Sequence, residues 1–109
     1  MVAHAGGVLP YLAARLDVTW RGDPIAQERL SLAPSGELAK LWLDAVVYHP
    51  RALRAAADLV GTERLMFGTD HPFFKEHPRD IFAAVTGAFD GADLTRVSGE
   101  TAIALFGLP

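Results

Sequence analysis

The sequence predicts an α/β fold with a parallel sheet, built from about three strand–helix units in the order β-α-β-α-β-α. Three observations carry this reading. Short apolar runs alternate with segments of helical periodicity along the 109 residues. Gly and Pro punctuate the boundaries between them. Polar residues able to do chemistry fall where the apolar runs end: His4, Asp44 and the pair Asp70-His71. Three such units make either a small open sheet or part of a barrel.

The elements follow in order. Val2-Ala3 is the end of a strand that runs into His4, and Gly6-Gly7 marks a turn. Pro10 suits the first turn of a helix, and Leu9, Leu12, Ala13 and Leu16 recur at helical spacing, which predicts a short amphipathic helix over 8–16. Residues 18–34 are less regular. Arg21-Gly22-Asp23-Pro24 signals a turn, and Ile25 to Leu32 reads as a short helix or a packed loop. Ser35 is placed to cap a helical turn over 36–40. Leu41 to Val46 predicts a buried strand with one acid, Asp44, inside it.

Pro50 opens the clearest helix, with His49 at the cap position. Leu53, Ala56, Ala57 and Val60 share one face, and Gly61 stops the helix. Leu65-Met66-Phe67-Gly68 predicts a third strand, which ends in Thr69-Asp70-His71-Pro72. A helix over 79–89 places Ile81, Ala84, Val85 and Ala88 on one face. Asp93 to Phe106 predicts a closing helix, broken near Gly99 and stopped by Gly107.

Composition bounds the function. Half the residues are hydrophobic and 21% are charged, which is globular composition and allows one domain at most. The net charge is −3, the pI is near 5.7, and there is no Lys/Arg run. That excludes nucleic acid as an expected partner. No apolar stretch approaches the ~18 residues of a membrane helix. The first residues have neither a basic nor an apolar signal-peptide region. Without cysteine there are no disulfides, thiolate metal sites or cysteine nucleophile. This fits a cytoplasmic protein.

In α/β folds ligands bind outside the carboxyl ends of the strands, where His4, Asp44 and Asp70 fall. A carboxylate after Leu65-Met66-Phe67-Gly68-Thr69 is costly to bury without a metal, a cationic partner or helix N-terminal amides. Asp70 is therefore either a ligand-binding carboxylate or a cap for the segment after it. His4 is either an acid/base or ligand residue or a plain surface or core histidine. Asp44 is open between a site role and hydrogen bonding to neighbouring backbone. His71 and His77, flanking Pro72-Phe73-Phe74, read as loop residues.

The run Leu65-Met66-Phe67-Gly68-Thr69-Asp70-His71-Pro72-Phe73 resembles the hallmark near the end of the amidohydrolase-related family. That family contains aminocarboxymuconate semialdehyde decarboxylases, resorcylate-type decarboxylases and dicarboxylate lactonases. His4-Ala5-Gly6-Gly7-Val8-Leu9-Pro10-Tyr11 resembles its His-x-Gly-Gly segment after the sixth barrel strand. Leu41-Trp42-Leu43-Asp44-Ala45 resembles the seventh strand, and Pro50 to Arg64 the helix and turn leading to the eighth. Gly99 to Leu108 resembles the closing helix, with Thr101 where Asn is usual. The resemblance covers nearly the whole chain and is weakest over 18–36.

The resemblance implies a metal-dependent hydrolase fold of TIM-barrel type, of which this chain is the carboxyl-terminal part, about three of eight β/α units. Residues 1–109 would then be a partial barrel domain lacking the first five strands. It implies one divalent metal, usually zinc, with Asp70 as its carboxylate ligand and His4 as the acid/base. Among the subgroups the non-oxidative decarboxylases match best. Arg15, eleven residues after His4, stands where their arginine reaches a substrate carboxylate in the neighbouring subunit. The implied substrate is a small carboxylated molecule. An amide or lactone hydrolase of the same family is the alternative reaction.

The family's other metal ligands, a His-x-His pair and a strand-five histidine, have no counterpart among His4, His49, His71 and His77. A full barrel needs about 250 residues, and a catalytic zinc wants about three protein ligands. Whether the 109 residues turn over substrate is thus left open. The expected partners are a second copy or a complementary barrel piece, and an inactive oligomerising fragment is the non-enzymatic alternative.

Overall fold

Leu43 and Leu65 have almost no exposed surface, and pairing them is what builds the sheet. The computed structural model describes residues 1–73 and 78–109. Leu43–Asp44 (β1) pairs in parallel with Leu65–Met66 (β2), in the register Leu43↔Leu65 and Asp44↔Met66. On the other side of β1, Val2 makes a single parallel bridge to Leu43. The order in space is Val2, β1, β2, all parallel, as β/α units with crossover helices require.

The strands lie where the sequence places them but are shorter than expected. The run 41–46 contributes only Leu43–Asp44, the run 65–68 only Leu65–Met66, and 2–3 only the bridge. The backbone donors explain this. Leu41 N–H is taken by Leu38 in the preceding helical turn at 3.0 Å, and Val47 N–H by Ala45 at 2.8 Å. Val46 N–H goes to the Asp44 carboxylate at 3.0 Å. Phe67 N–H leaves the ladder for the carbonyl of Val97 at 2.8 Å. Each diversion stops a strand, because a residue whose N–H is engaged elsewhere cannot extend the ladder.

The first helix, α1 (Leu9–Arg21), runs on to Arg21 where the sequence predicted an end at Leu16. The inward stripe continues past Leu16 to Trp20, one helical repeat further on. Asp23 then caps α2 (Pro24–Arg29), its carboxylate accepting from the N–H of Ile25 at 3.0 Å and of Ala26 at 3.3 Å. In α3 (Pro34–Leu38) the expected Ser35 cap is not what forms. Ser35 lies inside the helix, and its N–H donates to Asp17 Oδ1 of α1 at 2.8 Å. A carboxylate from a neighbouring helix thus does the work assigned to a local hydroxyl.

The bonds from Ser35 hold the Asp17 carboxyl below its ordinary 3.8, with a smaller contribution from Arg21. A depressed carboxyl stabilises the fold above its unfolded pKa and loses that contribution as pH falls through its folded value. The Ser35 amide is therefore expected to keep its protection from hydrogen exchange at pH 6. It should lose it below about pH 4, ahead of the core amides. In Asp17→Asn this pH dependence should vanish.

The clearest sequence-predicted helix, α4 (Pro50–Val60), forms as read. His49 Nδ1 accepts from Arg51 N–H at 3.2 Å, Leu53, Ala56 and Val60 are buried, and Gly61 leaves the helix at φ +79°. It packs against α5 (Pro78–Ala88), whose Ile81, Ala84 and Val85 are buried. Gly87 of α5 lies against Pro50, where a Cβ would sit 2.9 Å from the proline Cγ. Arg54 donates to the carbonyls of Gly87 and Ala88, satisfying the open end of α5.

The closing segment is α6 (Gly91–Thr95), a π turn over Arg96–Glu100 and α7 (Thr101–Phe106). The break expected near Gly99 is this π turn, which leaves the backbone helical. Thr101 is buried, its hydroxyl donating to the carbonyl of Thr62 at 3.2 Å. The core joins Leu43, Ala45, Leu53, Leu65, Val85 and Val97. The molecule is elongated, 47 × 28 × 28 Å, with a radius of gyration of 15.1 Å. A closed domain of ~100 residues would have about 13 Å. The chain is thus more extended than a closed domain of its size. His77 and Phe74 lie outside the described residues.

Candidate functional site

The carboxyl ends of the three parallel segments open into one hollow of about 460 Å³, within the size range of small-molecule sites. Its polar wall is His4, Asp44, Thr69, Asp70 and His71. Its apolar wall includes Val46, Met66, Phe67, Ala102 and Phe106. Residues from opposite ends of the chain meet here because Val2, β1 and β2 run parallel and each releases its next residues on the same side.

Three non-glycine residues of the described chain have positive φ: His4 at +55°, Ala5 at +51° and Asp70 at +57°. His4 and Asp70 both line the hollow. Left-handed backbone is unfavourable for L residues and gathers where a side chain must be aimed. Histidine, like aspartate, is enriched in this region, so the residue type at His4 is compatible with it. At Asp70, Asp is among the residues that tolerate it.

The Asp70 turn is closed by backbone, with Phe73 N–H donating to the Asp70 carbonyl at 2.9 Å. His71 N–H donates to Thr69 Oγ1 at 3.4 Å. No hydrogen bond among the described residues engages the Asp70 carboxylate. Asp70 is half-buried, and His4 and His71 are exposed at the mouth of the hollow. Asp44 does what the second of its two readings anticipated: its Oδ1 accepts from Val46 N–H at 3.0 Å and Ala5 N–H at 3.3 Å. His49 is the α4 cap. Arg15 lies on the exposed face of α1 and does not line the hollow.

Gly68 shapes the floor between the two strand ends. A Cβ there would sit 2.8 Å from Val46 Cγ2 and 3.5 Å from Asp44 Cβ, so only glycine lets the chain pass into the Asp70 turn this close to β1. Ala102 and Phe106 were missed as lining residues in the sequence. The only signal for them was their place in a helix of the family's closing type.

The fit to a metal is incomplete. Among the described residues no three His, Asp or Glu side chains gather into a set able to hold an ion, and a catalytic zinc takes about three protein ligands. The site offers one uncommitted carboxylate and two imidazoles at its rim, which suits part of a metal centre but does not complete one. None of the described helices is long and apolar enough to cross a membrane.

A family model described as amidohydrolase matches residues 1–108. The chain belongs to the amidohydrolase family. The resemblance carried by the His4, Asp44 and Asp70 motifs is thereby borne out. The chain is 35% identical over 72 residues to 2-amino-3-carboxymuconate-6-semialdehyde decarboxylase of Caenorhabditis elegans, across 65% of the chain and 18% of the relative. The enzyme of the same name from Dictyostelium discoideum is 29% identical over 72 residues, across 65% of the chain and 20% of the relative.

Among solved structures, Metarhizium anisopliae IDCase in apo form matches the chain with a TM-score of 0.86 at 34% identity, covering 97% of this chain and 33% of that one. A dihydroxybenzoic acid decarboxylase from Polaromonas sp. JS666, solved with manganese and the inhibitor 2-nitroresorcinol, matches with a TM-score of 0.80 at 24% identity, covering 97% and 32%. At that identity the second likeness is one of fold. The chain spans about a fifth of the length of the curated relatives it matches and a third of these solved structures. Its fold is the one expected from the sequence, the carboxyl-terminal part of a TIM-type barrel.

Proposed function

We propose that residues 1–109 are the sixth-to-eighth-strand portion of a metal-dependent, non-oxidative decarboxylase acting on a small carboxylated molecule. The observation that carries this is the meeting of His4 and Asp70 in one hollow, both on left-handed backbone at the ends of parallel strands. The likeness to two 2-amino-3-carboxymuconate-6-semialdehyde decarboxylases and to a dihydroxybenzoic acid decarboxylase favours this reaction over amide or lactone hydrolysis.

In this reading Asp70 contributes one ligand to a divalent ion, and the remaining ligands come from polypeptide outside these residues. We propose zinc, although a neighbour of the same fold holds manganese. No step is derived through the ion, since the described residues do not complete its site. His4 handles the proton: as the bond to the carboxylate breaks, its electron pair stays on the carbon, carbon dioxide leaves, and the imidazolium delivers the proton that replaces it. Arg15 contacts a substrate carboxylate across a subunit boundary, which agrees with its outward position on α1. The exposed Tyr11, Val8 and Val18 on the same helix are where a second copy or a complementary barrel piece would cover it. The cysteine-free composition suits the cytoplasm, where we place the protein.

Two experiments test the reading. The purified 109-residue chain is expected to bind no metal tightly, with its solution mass taken from the same sample by light scattering. Residues 1–109 can then replace the matching third of the Polaromonas dihydroxybenzoic acid decarboxylase, which holds manganese. The hybrid is expected to recover about one metal per chain and to release carbon dioxide from the host's substrate. Asp70→Asn should cost it the metal. A hybrid that folds and keeps full metal with Asp70→Asn refutes the assignment.

A further inference from the structure

We propose that Asp44 is the positioning residue of this site, a clamp that fixes the His4 turn from both sides. Its backbone N–H donates to the Val2 carbonyl at 3.3 Å, gripping the chain just before His4. Its side-chain Oδ1 accepts from Ala5 N–H at 3.3 Å, gripping it just after. The same oxygen takes Val46 N–H at 3.0 Å, which ties the carboxylate to its own strand end and prevents it from swinging away.

The turn has reason to need such a clamp. His4, Ala5, Gly6 and Gly7 all have positive φ, from +51° to +77°. Glycine adopts this freely, but alanine does not and carries no polar side chain to support it. The turn closes itself through Gly6 N–H to Ala3 at 3.1 Å and Gly7 N–H to His4 at 2.8 Å. The Ala5 N–H belongs to the non-glycine residue deepest in the turn, buried at 3% exposure, and Asp44 is its acceptor. A buried amide left without an acceptor is unfavourable, so the carboxylate selects the conformation that aims His4 into the hollow. β1 is the middle segment of the sheet, so Asp44 stands on its most firmly held strand.

The proposal deepens the reading of His4 as acid/base and is tested without activity. In the unmodified 109-residue chain, Ala5 N–H should exchange at least tenfold more slowly than in an unstructured peptide, and the His4 and Ala5 chemical shifts should mark positive φ. Asp44→Ala should raise Ala5 exchange at least tenfold and average those shifts, with the Leu65 and Val85 amides unchanged. Asp44→Asn keeps a carbonyl acceptor and should restore Ala5 protection to within threefold of the original.

An unprotected Ala5 amide in the unmodified chain overturns the proposal, whatever the variants do. So does Asp44→Ala if it leaves Ala5 untouched, or if it loosens Ala5 and the core amides equally. In the hybrid enzyme, Asp44→Ala should lower kcat at unchanged metal content. Failure of the His4 assignment would show instead as an active hybrid carrying His4→Ala, an outcome that leaves the amide test of the clamp standing.

Discussion

Changing His4 to alanine in the hybrid with the Polaromonas decarboxylase is expected to slow carbon dioxide release by about 10²–10⁴-fold, the usual contribution of a positioned acid/base group. Metal content should hold, because Asp70 and not His4 is the proposed ligand. The two measurements together separate the roles. Loss of metal would make His4 a ligand, and an unchanged rate would leave it a bystander at the mouth of the hollow. Stability should barely respond, because the imidazole is exposed and the turn is held by backbone and Asp44. The effect would therefore be on the chemistry alone.

Leu53→Ala is expected to be the most damaging change to the fold. Leu53 has no exposed surface and projects from α4 into the cluster that holds Leu43, Leu65 and Val85. Removing a buried leucine side chain costs about 2–5 kcal/mol, depending on how far the surroundings collapse. A domain of this length has roughly 5–15 kcal/mol in total, and an elongated section with apolar residues in solvent belongs at the low end. Urea unfolding followed by circular dichroism should show the midpoint fall by about 1–3 M or the transition disappear. Arg51→Ala, on the exposed face of the same helix, should change stability by no more than about 0.5 kcal/mol.

What the sequence made legible follows from how local each signal is. In α4 the cap, the Pro, the apolar stripe and the stop at Gly61 all lie within 13 consecutive residues, His49 to Gly61, and the helix formed as read. The meeting of His4 with Asp70 was also legible, because parallel strands place their ends together whatever their length. The strand lengths were not. They depend on where Phe67 and Val46 send their N–H groups, to Val97 and Asp44, and no periodicity records that. The displaced Ser35 cap fails for the same reason: its partner is Asp17, a helix away. The left-handed backbone at Ala5 has no signature in its own side chain, and the acceptor for its N–H lies on another strand. Side-chain spacing reports which face is buried, and it is silent on long-range backbone bonding.

The bond from Phe67 to Val97 has a consequence for the far end of the chain. In β2 the backbone groups of Met66 face β1, so those of Phe67 face the outer edge, and that edge is occupied by a carbonyl from the π turn. The stretch that delivers Asp70 is therefore moored to residues close to the carboxyl terminus. Proteolytic trimming or a frameshift that removed Arg96 onward would delete no residue of the polar wall. It would nevertheless unmoor the strand that presents Asp70. Nonsense mutations at or just before Val97 should accordingly behave as lesions of the hollow, although they fall after every residue proposed to handle metal or protons.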